Sequence, residues 1–156
     1  MKQSNEALRL QSEENEKLQQ ELKKQEYQTT WGYLDNFISE DICKEILTSL
    51  HGKTIKREAK RGDYSELRLN DEQLSKLLIA VERHFEGFSH YLTDLYPKIN
   101  RNELHQCLLC LLNLEDVQIA ALLHSDYSTI KKRAAKMKKA FHTDKSLQMF
   151  IREIVL

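Results

Sequence analysis

An all-α fold is predicted by three features of this sequence. Its 156 residues include one proline and four glycines, too few to punctuate a chain of short strands. Charged residues make up 31%, much of it in Glu- and Lys-rich stretches of good helix formers. Apolar residues return at near-helical spacing in the middle and at the C-terminal end of the chain. The length suits one domain, or one domain with an extension.

Residues 1–28 contain neither Gly nor Pro and are dense in Glu, Gln, Lys and Leu. A heptad register sets Met1, Leu8, Asn15 and Leu22 at a, with Ser4, Gln11, Leu18 and Gln25 at d. Only Leu8, Leu18 and Leu22 are strong seam residues, so a short coiled coil is predicted. Asn15 at an a position favours a parallel dimer. A single solvated helix, or a partly disordered segment, is the alternative.

Residues 29–96 read as a helical packing module. In "YLDNFISEDICKEILTSL", Leu34, Phe37, Ile38, Ile42, Ile46, Leu47 and Leu50 form an apolar stripe, and Ser39 or Asp41 is placed to cap a fresh start. "HGKTIKREAKRGDYSELRLND" has two glycines and no sustained period, and reads as a loop with a short helical turn. Its bases Lys53, Lys56, Arg57, Lys60 and Arg61 are diluted by Glu58, Asp63 and Glu66, so a solvated loop is expected, a flanking DNA contact being the alternative. One long helix is expected over "DEQLSKLLIAVERHFEGFSHYLTDLY", capped by Asn70 or Asp71 and ended by Pro97. Its apolar side carries Leu74, Leu77, Leu78, Val81, Phe85, Phe88, Leu92 and Leu95. Trp31 and Tyr33 are expected to pack in this module.

Residues 97–156 hold the clearest pattern. A first helix starts at Asn100 or Asn102 and runs through "ELHQCLLCLLNL". After a break at Leu114 and Glu115, Asp116 caps "VQIAALLH". The connection "SDY", with Ser125 as cap, leads to "STIKKRAAKMKKAF". A last amphipathic helix, "DKSLQMFIREI", begins at Asp144. Two short helices joined by a tight turn, with Ala120 and Ala121 where the second crosses the first, are the pattern of a helix-turn-helix. In its second helix Ile130, Ala134, Met137 and Phe141 form a core stripe, and Ser128, Lys131, Lys132, Lys136, Lys138 and Lys139 lie on other faces. Six Lys and Arg fall between Lys131 and Lys139 with no acid among them.

The formal net charge is zero, but unevenly spread. Residues 1–28 hold five bases against six acids, residues 29–96 nine against twelve, and residues 97–156 ten against six. A basic back end on a neutral chain points to a polyanionic partner there. Three cysteines fit a reducing compartment better than a disulfide framework. Cys107 and Cys110 spell C-x-x-C, but inside an apolar helical run with only His105 nearby, so buried core thiols are expected rather than zinc ligands. The six histidines at 51, 84, 90, 105, 124 and 142 form no catalytic or metal-binding spacing, and no phosphate-cradling glycine loop appears. No enzyme activity, cofactor or metal is expected. No apolar run approaches the ~20 residues of a membrane span, and a cytoplasmic protein is expected.

The stretch "YPKINRNELHQCLLCLLNLEDVQIAALLHSDYSTIKKRAAKMKKAF" resembles the LuxR/GerE-type DNA-binding domain. The likeness rests on Glu103 with Leu104, Ile119 with Ala120, Ser125 with Thr129 and Ile130, and the basic close from Lys138 to Phe141. From about Asp71 to Ile154 the chain is similar to the C-terminal part of Bacteroidetes-type regulators that carry tetratricopeptide repeats, a membrane helix and a coiled coil before this domain. Ala135 stands where family members often have a polar contact residue, Val117 where a Lys or Glu is common, and Phe141 in place of a Leu. No such repeats or membrane span precede the heptads here, as in a short free-standing member or a piece of something larger. The resemblance implies transcriptional regulation through double-stranded DNA. Lys131 and Lys132 would meet base edges, and Lys136, Lys138 and Lys139 would touch phosphates, with Ser128 and Ala135 on the same interface. A homodimer paired through the N-terminal helix would set two such helices on half-sites about one helical turn apart. The competing expectation is a coiled-coil adaptor whose C-terminal domain no longer binds DNA.

Overall fold

The computed structural model describes residues 16–17, 34–60 and 62–155, and every regular element among them is helical. The chain divides into two compact units, Met1–Asp35 and Asn36–Leu156. In the first, Glu16 and Lys17 are helical. The rest of the heptad register, with Trp31 and Tyr33, lies outside the described residues.

The second unit contains α1 (Asp41–Leu50), a 3-10 turn (Ser65–Leu67), α2 (Asp71–His84), α3 (Phe88–Leu95), α4 (Arg101–Cys110), α5 (Asp116–Leu122), α6 (Tyr127–Ala140) and α7 (Leu147–Ile154). One core cluster draws on helices from both sides of Pro97. At its centre lies α4, which packs against α2, α6 and α7. Its residues Gln106 to Cys110 are all buried.

The first two helices meet through the expected stripe, with Phe37, Ile42, Ile46 and Leu50 buried. Their ends are tied by ions. Glu40, at the N-cap of α1, accepts from Arg83 Nη1 at 2.8 Å and from His84 Nε2 at 2.8 Å, both at the end of α2. These hydrogen bonds, His84 first, hold the Glu40 carboxyl below its ordinary value of 4.5.

The single helix expected over 71–96 is two. It breaks at Phe85–Gly87, where Gly87 adopts φ +82°, a conformation open to glycine at little cost. Glu82 then accepts from the N–H groups of Gly87 (3.0 Å) and Ser89 (2.9 Å), satisfying two donors at the start of α3. The apolar period survives the break through Phe85, Phe88 and Leu92, which is why it was invisible in the sequence. Leu95, expected on the apolar side, is 39% exposed.

Four caps differ from those expected, and the first is at α1, whose N-cap is Glu40 rather than Ser39 or Asp41. Glu115 rather than Asp116 occupies the N-cap of α5, Asp126 rather than Ser125 that of α6, and Ser146 rather than Asp144 that of α7. Each stretch offers several oxygens within three residues, and only the backbone path selects one. Asn70 and Asn100 do cap α2 and α4, each in a reciprocal capping box. At α4 the Glu103 half of the box is buried: Glu103 accepts from the Tyr96 hydroxyl and the Asn100 N–H, so its carboxylate is satisfied inside the core.

Candidate nucleic-acid interface

Helix α6 is positioned by what it buries. Ile130 and Met137 are fully buried, Phe141 nearly so, and Ala134 packs against the same core. Burying two such large side chains stabilises by about 3–6 kcal/mol. A typical cap contributes about 1 kcal/mol, so packing, not capping, fixes the orientation of this helix. Two contacts from α4 add direction: Gln106 Nε2 donates to the Ile130 carbonyl at 3.1 Å, and Cys107 Sγ reaches Met137 Sδ at 3.6 Å.

The turn into α6 is equally defined. After α5, His124 adopts φ +53°. Its N–H donates to the Ala121 carbonyl (3.3 Å), and the Ser125 N–H donates to that of Ala120 (2.9 Å). This pair of bonds with a left-handed residue is a Schellman motif, made here without glycine. Ala120 and Ala121 are buried, and α5 packs directly on α6. Asp126 then accepts from the Thr129 N–H at 2.8 Å and the Ser128 hydroxyl at 2.9 Å. These bonds, Thr129 first, hold its carboxyl below the usual aspartate value.

Opposite the buried stripe runs an exposed one. Ser128, Lys132, Ala135, Lys136 and Lys139 are all exposed and follow i, i+4, i+7, i+8, i+11. From Lys132 to Lys139 the ridge extends about 10 Å along the helix. Among the described residues, no carboxylate lies within 4.0 Å of the ammonium groups of Lys132, Lys136, Lys138 or Lys139.

The other two lysines of the expected interface lie on the flank. Lys131 pairs with Asp116 of α5 at 3.1 Å, and this hydrogen bond raises its pKa above the usual lysine value. Lys138 is half-buried beside the groove between α6 and the start of α7, which Gln106, Cys110 and Leu147 also line. So the structure gathers Ser128, Lys132, Ala135, Lys136 and Lys139 on one ridge and sets Lys131 and Lys138 to its side.

Sequence reasoning missed Tyr127. Its ring lies 5.7 Å from the Lys131 ammonium and 5.3 Å from the Arg57 guanidinium. A Tyr at the first position of a helix, one turn before a Lys, is a signal for the first contact; nothing in the sequence announces the second. Arg133, half-exposed on the other flank, was also passed over.

Cys107 and Cys110 are buried, and burial pushes the thiol of Cys110 to about 12 and that of Cys107 well up. Both stay protonated at neutral pH and serve as packing groups. Among the described residues no three His, Cys, Asp or Glu side chains are grouped to hold a metal, and no helix is long and apolar enough to cross a membrane. No protein-family model, curated protein or solved structure matches this chain.

Proposed function

We propose that this chain is a sequence-specific DNA-binding transcriptional regulator, with α5 and α6 acting as a helix-turn-helix and α6 as its recognition helix. The observation that carries this reading is the outward ridge of α6, where Lys132, Lys136 and Lys139 stand, among the described residues, without a carboxylate partner opposite the buried Ile130 and Met137. Duplex DNA presents one negative charge about every 1.7 Å of its axis, and each ammonium that meets a phosphate releases condensed counterions. A rigid helix with one apolar and one cationic side fits a major groove.

The roles are divided by position. Lys132, in the first half of α6, is placed for base edges, together with Ser128 and Ala135. Lys136 and Lys139 are placed for phosphates. Lys131, held by Asp116, braces the scaffold helix against the recognition helix and contributes less to reading. Pairing of two chains through residues 1–28 would present two recognition helices to a two-fold operator.

A second reading, a protein-interaction adaptor, draws on the exposed apolar side chains Ile79, Tyr91 and Leu95 on α2 and α3. Fluorescence anisotropy against random-sequence duplex at 50 and 200 mM salt separates the two. The regulator binds at low salt and weakens steeply with added salt. No binding at 50 mM leaves the adaptor.

A further inference from the structure

We infer that residues 53–60 form a second nucleic-acid contact, a phosphate-gripping arm fixed beside the start of α6; this rests on the reading of α6 as a DNA-binding helix. The segment carries Lys53, Lys56, Arg57 and Lys60 against the one acid Glu58.

The arm has an inner and an outer side. Ile55 and Ala59 are half-buried against α5, where they share a shallow groove with Val117 and Ala121. Lys56, Arg57 and Lys60, between and after them, are exposed. The irregular backbone is held at several points. The Tyr64 hydroxyl donates to the Thr54 carbonyl (3.2 Å), and the Lys60 N–H donates to Asp63 Oδ2 (2.8 Å). Further on, the Leu69 N–H donates to the Leu122 carbonyl at the end of α5 (2.9 Å). Arg57 lies over the ring of Tyr127, the first residue of α6.

The neighbouring acids are largely committed. Asp116 holds Lys131, Asp63 caps the Lys60 N–H, and Glu66 lies 3.8 Å from Lys53. Among the described residues no carboxylate comes within 4.0 Å of Lys56, Arg57 or Lys60. These three cations therefore continue the positive surface of α6 past its N-terminus. They sit on the segment beside the turn, where a duplex seated on α6 would present backbone rather than base edges. Phosphate is the group they fit.

The test compares the full chain with Lys56→Gln/Lys60→Gln, titrating a random-sequence duplex by anisotropy between 50 and 200 mM salt. Both side chains are exposed, and circular dichroism of the variant should overlay the parent. Losing two phosphate contacts flattens the slope of log K against log salt by about 1.8, so the parent's affinity advantage shrinks about 12-fold across that range. The control Lys44→Gln/Lys98→Gln removes the same charge from α1 and from the segment before α4, and should leave the slope unchanged. An unchanged slope in the arm variant, with the parent still binding, overturns the arm alone. An equal flattening in the control overturns it too, since net charge would then explain the effect. Failure of the parent to bind overturns the reading of α6, and the arm falls with it.

Discussion

Helix α6 and the segment of residues 53–60 carry the same kind of charge on opposite kinds of backbone. In α6 the regular helix sorts the cations: a 3.6-residue repeat puts Ile130, Ala134, Met137 and Phe141 on one side and Lys132, Lys136 and Lys139 on the other. The core then fixes where that second side points. In the loop no repeat does the sorting. Ile55 and Ala59 turn inward because α5 offers them an apolar surface, and Arg57 is located by the ring of Tyr127, far away in sequence, which no local rule predicts. A charge run on a helix can thus be assigned a face from sequence, whereas one on a loop acquires its place only from the fold.

The largest expected effects break this contrast at the packing side. Met137→Ala or Ile130→Ala leaves a cavity under α6 and should cost about 2–5 kcal/mol in urea denaturation, with DNA binding lost as the helix loosens. A cost below 1 kcal/mol would mean that α6 is not held by its buried stripe. Next come changes that leave packing alone. Lys136→Gln/Lys139→Gln should change stability by less than about 0.5 kcal/mol yet weaken binding to all duplexes alike, flattening the salt slope by about 1.8. Lys132→Ala should instead reduce the preference for a selected operator over random DNA, by about 1 kcal/mol or more. If both variants lose affinity uniformly, the division into reading and gripping residues is wrong.

Smaller effects sharpen the comparison at sites far from the ridge. Glu40 has a folded-state pKa below its ordinary 4.5 because His84 and Arg83 hydrogen-bond its carboxylate. Its stabilising contribution is therefore complete above the unfolded carboxyl value and is lost as pH falls through the lowered folded one. Glu40→Gln should narrow the stability difference between pH 7 and pH 3 in parallel denaturant titrations; an unaltered difference would show that the ion pair carries no linkage. His142, at φ +54°, closes α6 with a second Schellman pair, its N–H to the Lys139 carbonyl and that of Thr143 to Lys138. His142→Gly removes the left-handed penalty of an L side chain and should raise the melting temperature by a few degrees. A lower value would mean that the imidazole makes a contact worth more than the strain.

The legibility of the molecule follows the same division. The all-helical fold and the buried stripe of α6 could be read because burial imposes a period that the sequence displays. The caps at Glu115, Asp126 and Ser146 were displaced from expectation by one or two residues, since "NLEDV", "HSDYS" and "HTDKS" each present several oxygens at similar spacing. The helix break at Gly87 was hidden because the apolar period runs through it. The left-handed turns at His124 and His142 carry no glycine to mark them. Of the residues expected at the interface, Ser128, Lys132, Ala135, Lys136 and Lys139 share the ridge that helical geometry implies. Lys131 is drawn aside by Asp116, a partner on another helix that the sequence does not pair with it. Arg57 over Tyr127 belongs to the same class of long-range fact.

Amine-reactivity footprinting of the chain with and without saturating duplex DNA tests the central claim at individual side chains. DNA should protect Lys132, Lys136 and Lys139 from acylation while leaving Lys44 and Lys98 unchanged. Equal reactivity of the ridge lysines in the free and DNA-saturated samples would contradict the claim that this face of α6 meets the duplex.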